Sequence, residues 1–580
     1  MQWKRKSTKT PKNLEELQKI MIDNRGFDEE ELKQFLNPLE PKDITLESVD
    51  FDIPEFKKAI KQIKKAIKED KKIVIFGDYD ADGICASAIL WQALFKLYKK
   101  AQEEGKNFPV PFIPHREKHG YGISIVAIDE IIKDHKPDLI ITVDNGIVAH
   151  DPVNYVKEKG IDIIITDHHQ PETEVSDGAD KTDRKSENKK VKLPNANCVV
   201  HSTKLCGATV AWMIARELDQ KSAETSLDLA GIATIADQVP LTGANRSFAK
   251  YGVLALKTTK RPGIVALFEA SKTKQADITE GNVGFSLAPR INAMGRLDHG
   301  LEALRLLCTN SMQKAQSLAT TLNNTNFHRQ ELTKDMLADA KSQVETIMDE
   351  HMIIVYSEEY HEGILGLIAG QLMEKFYKPA IAISLGDTMA KASARSIHGV
   401  NIVDILREIR DDLTAVGGHP MAAGFGFQTS KLETIKKRLY KLAKERIKEE
   451  DLVKSIAVDC ALPINLVDTK TAEKLEEFAP FGMKNPQPIF EVENLDVLEM
   501  RTIGKDGTHL KMKLGNAREL AGEDNNISGQ VSFDAIGWRM SELANTIKTG
   551  DTISIVGTLG INEWNNYRNI QVILKDVKQA

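Results

Sequence analysis

The feature that most constrains this chain is a short apolar strand that ends in acids. Ile73-Val74-Ile75-Phe76 is a β-branched run of the kind buried on both faces of a parallel sheet. Asp78, Asp80 and Asp82 follow at alternate positions, Gly83 closes the turn, and residues 84–90 resume at helical spacing. A strand, turn and helix of this kind bring oxygen donors to the carboxyl edge of a sheet, where open α/β sheets bind ligands. Three carboxylates this close repel one another unless a cation lies among them, so the stretch reads as a divalent-metal site. The plainer alternative is a polar loop with Asp as helix cap.

The pattern recurs twice. Residues 139–143 form a second buried run ending in Asp144-Asn145-Gly146, and residues 161–165 form a third ending in Thr166-Asp167-His168-His169. Helical stretches alternate with these strands, which predicts a doubly wound parallel sheet. Chance placement of polar loops would not repeat the arrangement three times, and the metal reading gains accordingly. Asp237 ends an Ala/Ile-rich helix built for burial, where an acid needs a counter-charge or a metal.

At 580 residues the chain is long enough for roughly three or four domains, and the class is multidomain α/β. Residues 1–45 read as a helical preface capping the domain that follows. Residues 46–280 carry the acidic strand ends, with 171–193 a polar, charged and disordered excursion. Residues 281–350 supply a long linker helix that bridges two lobes, and 351–450 form a smaller α/β unit. Residues 451–580 hold five strand candidates, the pattern of an OB-type β-barrel.

Basic and small residues cluster outside the acidic strands. Arg290, Asn292 and Arg296 lie in a stretch of little bulk that suits close approach to a phosphate. Ser393, Arg395 and Ser396 read as a polar loop with the same chemistry, and Gly417-Gly418-His419 as a glycine turn that admits an anion. His115, Arg116 and Lys118 form a basic loop beside Gly120-Tyr121-Gly122. In the barrel, Arg501, Lys511, Lys513, Trp538, Trp564, Tyr567 and Arg568 offer charge and stacking to a nucleic-acid single strand, with barrel core the alternative for the aromatics.

Composition narrows the partners. Net charge is −6, so nucleic-acid binding must rest on local basic surfaces. The five cysteines are scattered without a CxxC pair, as in a reduced, cytoplasmic protein without a cysteine-built zinc site. No apolar run approaches the ~20 residues of a membrane span, and the basic N-terminus lacks the apolar segment of a secretory signal.

Together, GDYDADG, VDNG, TDHH and Asp237 resemble the DHH phosphoesterase superfamily, and GGHPMAAGF resembles its companion DHHA1 domain. HGYGIS, PRINAMGR, HEGILGLIAG, SARS, FGMKNPQPIF and the terminal barrel extend the resemblance, over nearly the whole chain, to the RecJ family of single-strand-specific exonucleases. The charged insertion after His169 and the end soon after the barrel depart from it. The resemblance implies a two-ion site using Mn²⁺ or Mg²⁺, held by Asp78, Asp80, Asp82, Asp144, His168 and Asp237. Asp144 would bridge the ions, Asp78 could stand behind the ligands, and Asp167 and His169 would assist catalysis. Phosphates would be held by Arg290, Asn292, Arg296, Ser393, Arg395, Ser396 and His419. The implied activity is 5′→3′ degradation of single-stranded DNA to mononucleotides in DNA repair and recombination. The implied protein is a cytoplasmic monomer, with a single-strand-binding protein and a helicase as partners. Competing readings are a DHH phosphodiesterase for short oligoribonucleotides or cyclic dinucleotides, and a non-catalytic replication scaffold.

Overall fold

A computed structural model describes residues 1–101, 107–175, 189–516, 532–564 and 567–579. The chain forms two units: Pro38–Leu452 with Gly482–Lys484, and Met1–Asn37 with Val453–Phe481 and Asn485–Ala580.

In the larger unit, five parallel strands lie in the spatial order Val110–Phe112, Ile73–Phe76, Leu139–Thr142, Asp162–Asp167, Cys198–His201. Alternation along each strand feeds two cores. Ile73, Ile75, Leu139 and Ile141 join one cluster, while Val74, Phe76, Ile140, Ile163 and Ile165 join another on the opposite face. Both faces are thus covered, as an apolar parallel strand requires. The strand order in chain sequence is 2-1-3-4-5, so the connections reverse direction between Ile73–Phe76 and Leu139–Thr142. A crevice opens at the carboxyl ends of strands at such a switch point. The acids after residues 76 and 142 flank it.

The stretch 171–193 differs from the expected disordered excursion at both ends. Glu172–Val175 and Lys189–Lys192 pair as an antiparallel ribbon that sets Glu172 opposite Lys192. Opposite charges directly across a ribbon favour pairing even without an apolar face. Residues 176–188 lie outside the described residues.

Helix Met312–Glu345 has 34 residues, a length of about 51 Å. Its Ala315, Ala319 and Leu322 are buried with the parallel-sheet lobe, and its Leu337, Ala340 and Val344 with the second lobe. The linker therefore contributes one half to each core. The second lobe is a mixed sheet in the order Ala415–His419, Ala422–Gln428, Met389–Arg395, Ala380–Leu385, Ile353–Ser357; only the last pair is parallel. Two expectations are corrected here. Ser393 and Arg395 lie on a strand rather than a loop, because Ala390, Ala392 and Ala394 alternate with them and are buried. Gly417, Gly418 and His419 likewise end a strand, and the chain turns at Pro420-Met421.

In the smaller unit, Phe490–Ile503, His509–Gly515, Ser532–Gly537, Tyr567–Gln579 and Thr552–Trp564 close into a five-stranded barrel, the last pairing back to the first. Residues 1–37 of the preface belong here, and the larger unit begins at Pro38. Gln2–Arg5 pairs in parallel with Ser455–Val458. Leu17, Ile20, Met21 and Phe35, the apolar stripe of helices Leu14–Asp23 and Glu29–Leu36, share a core with Phe478, Phe490 and Leu510. Among the described residues no helix is long and apolar enough to cross a membrane.

Candidate metal centre

The three loops at the switch point are held by backbone hydrogen bonds that leave carboxylate oxygens facing one another. Asp80 Oδ1 accepts the N–H groups of Asp82 and Gly83 at 3.0 Å each, so this residue does cap helix Ala81–Ala101. One oxygen caps and the other is left for the site, which reconciles the two readings of the motif. Asp78 accepts from Tyr79 N–H, and a Cβ on Gly83 would fall 2.6 Å from the Asp78 Cβ, so the turn needs glycine there. Asp82 accepts from the N–H groups of Gly207 and Ala208, both at 2.7 Å. These begin helix Gly207–Leu218, whose positive end steadies the charge. Asp144 has a left-handed backbone, φ +62°, and packs so close to this helix that a Cβ on Gly207 would lie 2.4 Å from its Oδ1.

The histidines divide in role. His168 Nε2 stands 3.1 Å from Asp144 Oδ1 and 3.7 Å from both Asp82 and Asp237. Burial keeps its pKa below the usual value, leaving the neutral imidazole that a metal requires. His169 points Nδ1 at Asp167 Oδ1, 2.7 Å away, and its Nε2 meets the Tyr121 hydroxyl at 3.1 Å. Against the pull of burial, the bond to Asp167 lifts His169 to about 9. Asp167 also receives the N–H groups of His168, His169 and Ile147. Burial opposes its ionisation, yet these bonds and His169 hold its pKa below normal. With its oxygens so occupied, Asp167 orients the imidazole.

The acids fit divalent cations. Burial first, then Asp80, pushes Asp78 up to about 8; burial, Asp82 and Asp80 push Asp237 up to about 9. Asp80 is raised by burial and Asp82, and Asp144 well above normal by burial and its neighbouring acids. Without positive charge these groups would have to hold protons. Asp144 Oδ1 is buried and makes no hydrogen bond among the described residues, although His168 Nε2 stands 3.1 Å away. Among the described residues, donor atoms within 4.8 Å of one another form three sets: Asp78, Asp80 and Asp144; Asp82, His168 and Asp237; and Asp144, His168 and His169. Carboxylates with one imidazole are the donors that Mg²⁺ and Mn²⁺ accept.

Arginines gather next to the acids. Arg296 feels the like charges of Arg116, Arg329 and Arg395 as well as the opposite charge of Asp80; burial and those cations lower it to about 10. Arg296 Nη1 donates to Gly363 O at 3.0 Å, and Arg116 Nε donates to Gly295 O. Gly295 is required because a Cβ would sit 2.2 Å from Tyr79 O. Arg395 donates to Ser393 Oγ and Ala394 O, close to Gly366 in the first turn of helix Leu365–Phe376. Asn292 accepts the Ala81 N–H at 2.7 Å, which ties its helix to the acidic turn and leaves its role one of positioning. Arg290 donates to Ser286 O and Asn323. Ser396 is buried and donates to Val400 O, while His419 is exposed at the end of its strand. Arg116 had shown only as part of a basic loop, and Arg329, on the polar linker helix, gave no signal at all. Tyr121, in its Gly-Tyr-Gly turn, was visible without a role.

In the barrel, Lys511 pairs with Asp534, and Arg568 with Glu473 and Glu563. Arg501 and Lys513 are exposed and form no ion pair among the described residues; Trp538 is 54% exposed, its ring 77° from the plane of His509, and Tyr567 is exposed too. The Trp564 side chain lies outside the described residues.

Three domain profiles match the chain: the DHH family N-terminal domain over residues 72–236, the DHHA1 domain over 349–445, and the RecJ OB domain over 458–576. The single-stranded-DNA-specific exonuclease RecJ of Bacillus subtilis is 35% identical over 568 residues, covering 96% of this chain and 67% of that protein. RecJ of Haemophilus influenzae is 31% identical, with 87% of each chain covered. The crystal structure of RecJ from Thermus thermophilus with Mn²⁺ superposes with a TM-score of 0.78 at 27% identity, covering 100% of this chain and 80% of that one. With Mg²⁺ the TM-score is 0.73, at 25% identity and coverages of 100% and 78%. By sequence along most of its length, by domain content and by fold, this chain belongs to the RecJ family of single-stranded-DNA-specific exonucleases.

Proposed function

We infer that the chain is a metal-dependent exonuclease that removes mononucleotides from single-stranded DNA in the 5′→3′ direction. The observation that carries the reading is Asp144: it belongs to two donor sets at once, on a sheet edge whose other neighbour is a group of arginines. A shared carboxylate between two sets suits a pair of ions. Asp78, Asp80 and Asp144 would hold one; Asp82, His168 and Asp237 would hold the other, which Asp144 meets through His168, 3.1 Å away and its partner in the remaining set. Bound there, divalent ions supply Lewis acidity, making an attacking water more acidic and offsetting charge on the scissile phosphate.

The protein's own groups do the rest. Asp167 fixes the ring of His169, which sets Nε2 and the Tyr121 hydroxyl at the rim of the acids. Asn292 fixes the start of helix Ala81–Ala101 and so the spacing of Asp78, Asp80 and Asp82. Arg296, Arg395, Ser393 and the first turn of helix Leu365–Phe376 form an anion pocket for a terminal or backbone phosphate. A phosphate held there, next to Asp80, presents the adjacent phosphodiester to the acids and accounts for products of one nucleotide. In the barrel unit, Trp538, Lys513 and Arg501 are the groups that would hold a single strand by stacking and charge. The same reading takes a monomer in the cytoplasm, with a single-strand-binding protein and a helicase presenting the strand during repair and recombination.

The test is digestion of 5′- and 3′-labelled single-stranded DNA in Mn²⁺, in Mg²⁺ and in chelator. The reading expects labelled mononucleotide from the 5′ label at once, shortening of the 3′-labelled strand, and no product in chelator. Cleavage of dinucleotides with long strands left intact would replace it with a short-oligonucleotide phosphodiesterase.

A further inference from the structure

The most exposed large apolar side chain of the larger unit is Phe285, at 88%. It lies on a π-helical turn, Val283–Leu287, between Glu280–Asn282 and helix Ala288–Leu297, and all three segments run on as one helix. The cause of the wide turn is local: Pro289 has no N–H to give to the carbonyl of residue 285, so an α-helical bond is lost at that point. Arg290 donates Nη1 to Ser286 O at 2.7 Å and Nε to Asn323 Oδ1, and the turn is held to the linker helix. An aromatic ring is thus presented to solvent on a braced scaffold. Isolated exposed apolar residues are ordinary, but this one has a setting that selects an occupant.

The same helix runs into the site. Phe285, Pro289, Asn292 and Arg296 are spaced i, i+4, i+7 and i+11, close to whole helical turns, and form its less buried side. Asn292 holds the acidic turn, and Arg296 lies beside Asp80. Gly284, next to Phe285, borders Ile235 of helix Leu227–Ala236, which ends at Asp237. The Arg290 guanidinium, held at Ser286 O in the turn that carries the ring, forms no ion pair with any carboxylate among the described residues, and burial lowers its pKa. An exposed aromatic ring and an unpaired guanidinium on one turn, continuous with the arginines beside the acids, are the pairing that single strands use: base on ring, phosphate near guanidinium. At 1.5 Å per residue, Phe285 is about 16 Å along the helix from Arg296. A strand stacked at about 3.4 Å per nucleotide covers this in no more than about five nucleotides.

We propose that Phe285 is a stacking platform for one base of the single-stranded DNA, within about five nucleotides of the end being removed, with Arg290 serving the neighbouring phosphate. The proposal rests on the exonuclease reading and adds a base subsite to it. The test is equilibrium binding of a labelled 20-nucleotide strand by anisotropy in chelator, where nothing is cut, with an abasic site walked through the first eight positions. Wild type should bind the intact strand and lose at least about fivefold when the abasic site falls on one particular position. Phe285→Ala should lose the same factor on the intact strand and show a flat scan, while Phe285→Trp keeps both the affinity and the dip. Intact-strand affinity of Phe285→Ala within twofold of wild type, or an abasic dip that survives in it, would overturn the proposal. Wild-type digestion in Mn²⁺, run alongside, reports on the exonuclease reading itself. A protein that binds with the expected scan but does not cut keeps the platform and loses the nuclease.

Discussion

The lobe that carries the acidic strand ends and the barrel treat charge in opposite ways. In the lobe, Asp78, Asp80, Asp82, Asp144 and Asp237 form no ion pair with Lys or Arg among the described residues; His168 and His169 lie among them, and Arg116 and Arg296 act on Asp78 and Asp80 from beyond ion-pair distance. Arg296, nearby, is surrounded by other arginines. In the barrel unit cations with carboxylates at hand are paired: Lys511 with Asp534, Arg568 with two glutamates, Arg5 with Glu491 and Glu493, while the unpaired Arg501 and Lys513 are exposed to solvent rather than buried. Burying like charges together costs stability that a folded protein recovers only when something of opposite sign arrives. Uncompensated buried charge therefore marks a place where a ligand completes the structure, and compensated surface charge marks nothing in particular. The first lobe is unfinished on its own; the barrel is not.

The largest effect that tests this contrast is Asp144→Ala. Because this carboxylate is shared by two donor sets, kcat/KM on single-stranded DNA should fall by more than about 10³-fold. Its loss also removes like-charge repulsion, so in chelator the thermal midpoint should equal or exceed that of wild type. Turnover within tenfold of wild type would remove the shared-ligand assignment. A midpoint several degrees lower would mean the acids are already compensated within the protein, and the contrast with the barrel would be lost.

Next in size is Arg296→Ala. A charged hydrogen-bonding group to phosphate contributes about 1.5–3 kcal/mol, so KM should rise roughly 10- to 100-fold, with the metal dependence unchanged. Arg296→Lys should recover only part, since an ammonium lacks the planar fork. Equal losses in KM and in metal affinity would move Arg296 from the phosphate to the support of the acidic turn. Asp167→Asn comes third. It removes the negative charge that holds His169, and one of two acceptor oxygens, while leaving the carboxylate ligands in place, and roughly a tenfold loss in kcat is expected, with affinity for DNA preserved. Unchanged kcat would reduce the Asp167–His169 bond to packing.

How much of this could be read beforehand follows from how local each cause is. Asp78, Asp80, Asp82, Asp144 and His168 declared themselves because each lies within a few residues of the end of an apolar run, and a strand end needs no tertiary information to be recognised. The groups that hold them do not: the Gly207 N–H reaches Asp82 across 125 residues, and Asn292 reaches Ala81 across 211. Asn292 was noticed for the small residues around it and placed at a phosphate, but its oxygen is taken by the backbone. Ser393 and Ser396 looked alike in SARS. Strand alternation keeps the first beside Arg395, while the chain leaves the strand before the second and buries it against Val400. The preface shows the same limit at larger scale. The periodicity of Leu17, Ile20 and Met21 reveals that a face is buried, but not that its partner is Phe490, more than 450 positions away.

The smallest predicted effect is the sharpest test of the comparison, because it separates two residues that composition treats alike. Arg568 and Trp538 were both candidates for contact with the strand. Arg568 Nε and Nη1 are already given to Glu563 and Glu473, at 2.6 and 2.7 Å, and a single strand would have to displace both carboxylates to gain the guanidinium. Exposed pairs of this kind contribute little either way, so Arg568→Ala should change affinity for a 20-nucleotide strand by less than about twofold. Trp538, perpendicular to His509 and half exposed, should cost about fivefold or more when cut to Ala. Binding in chelator at two salt concentrations reads both. If Arg568→Ala weakens binding as much as Trp538→Ala and lowers the salt dependence by one phosphate contact, the carboxylates do not hold Arg568 back. A compensated charge would then be as good a marker of the DNA path as an uncompensated one.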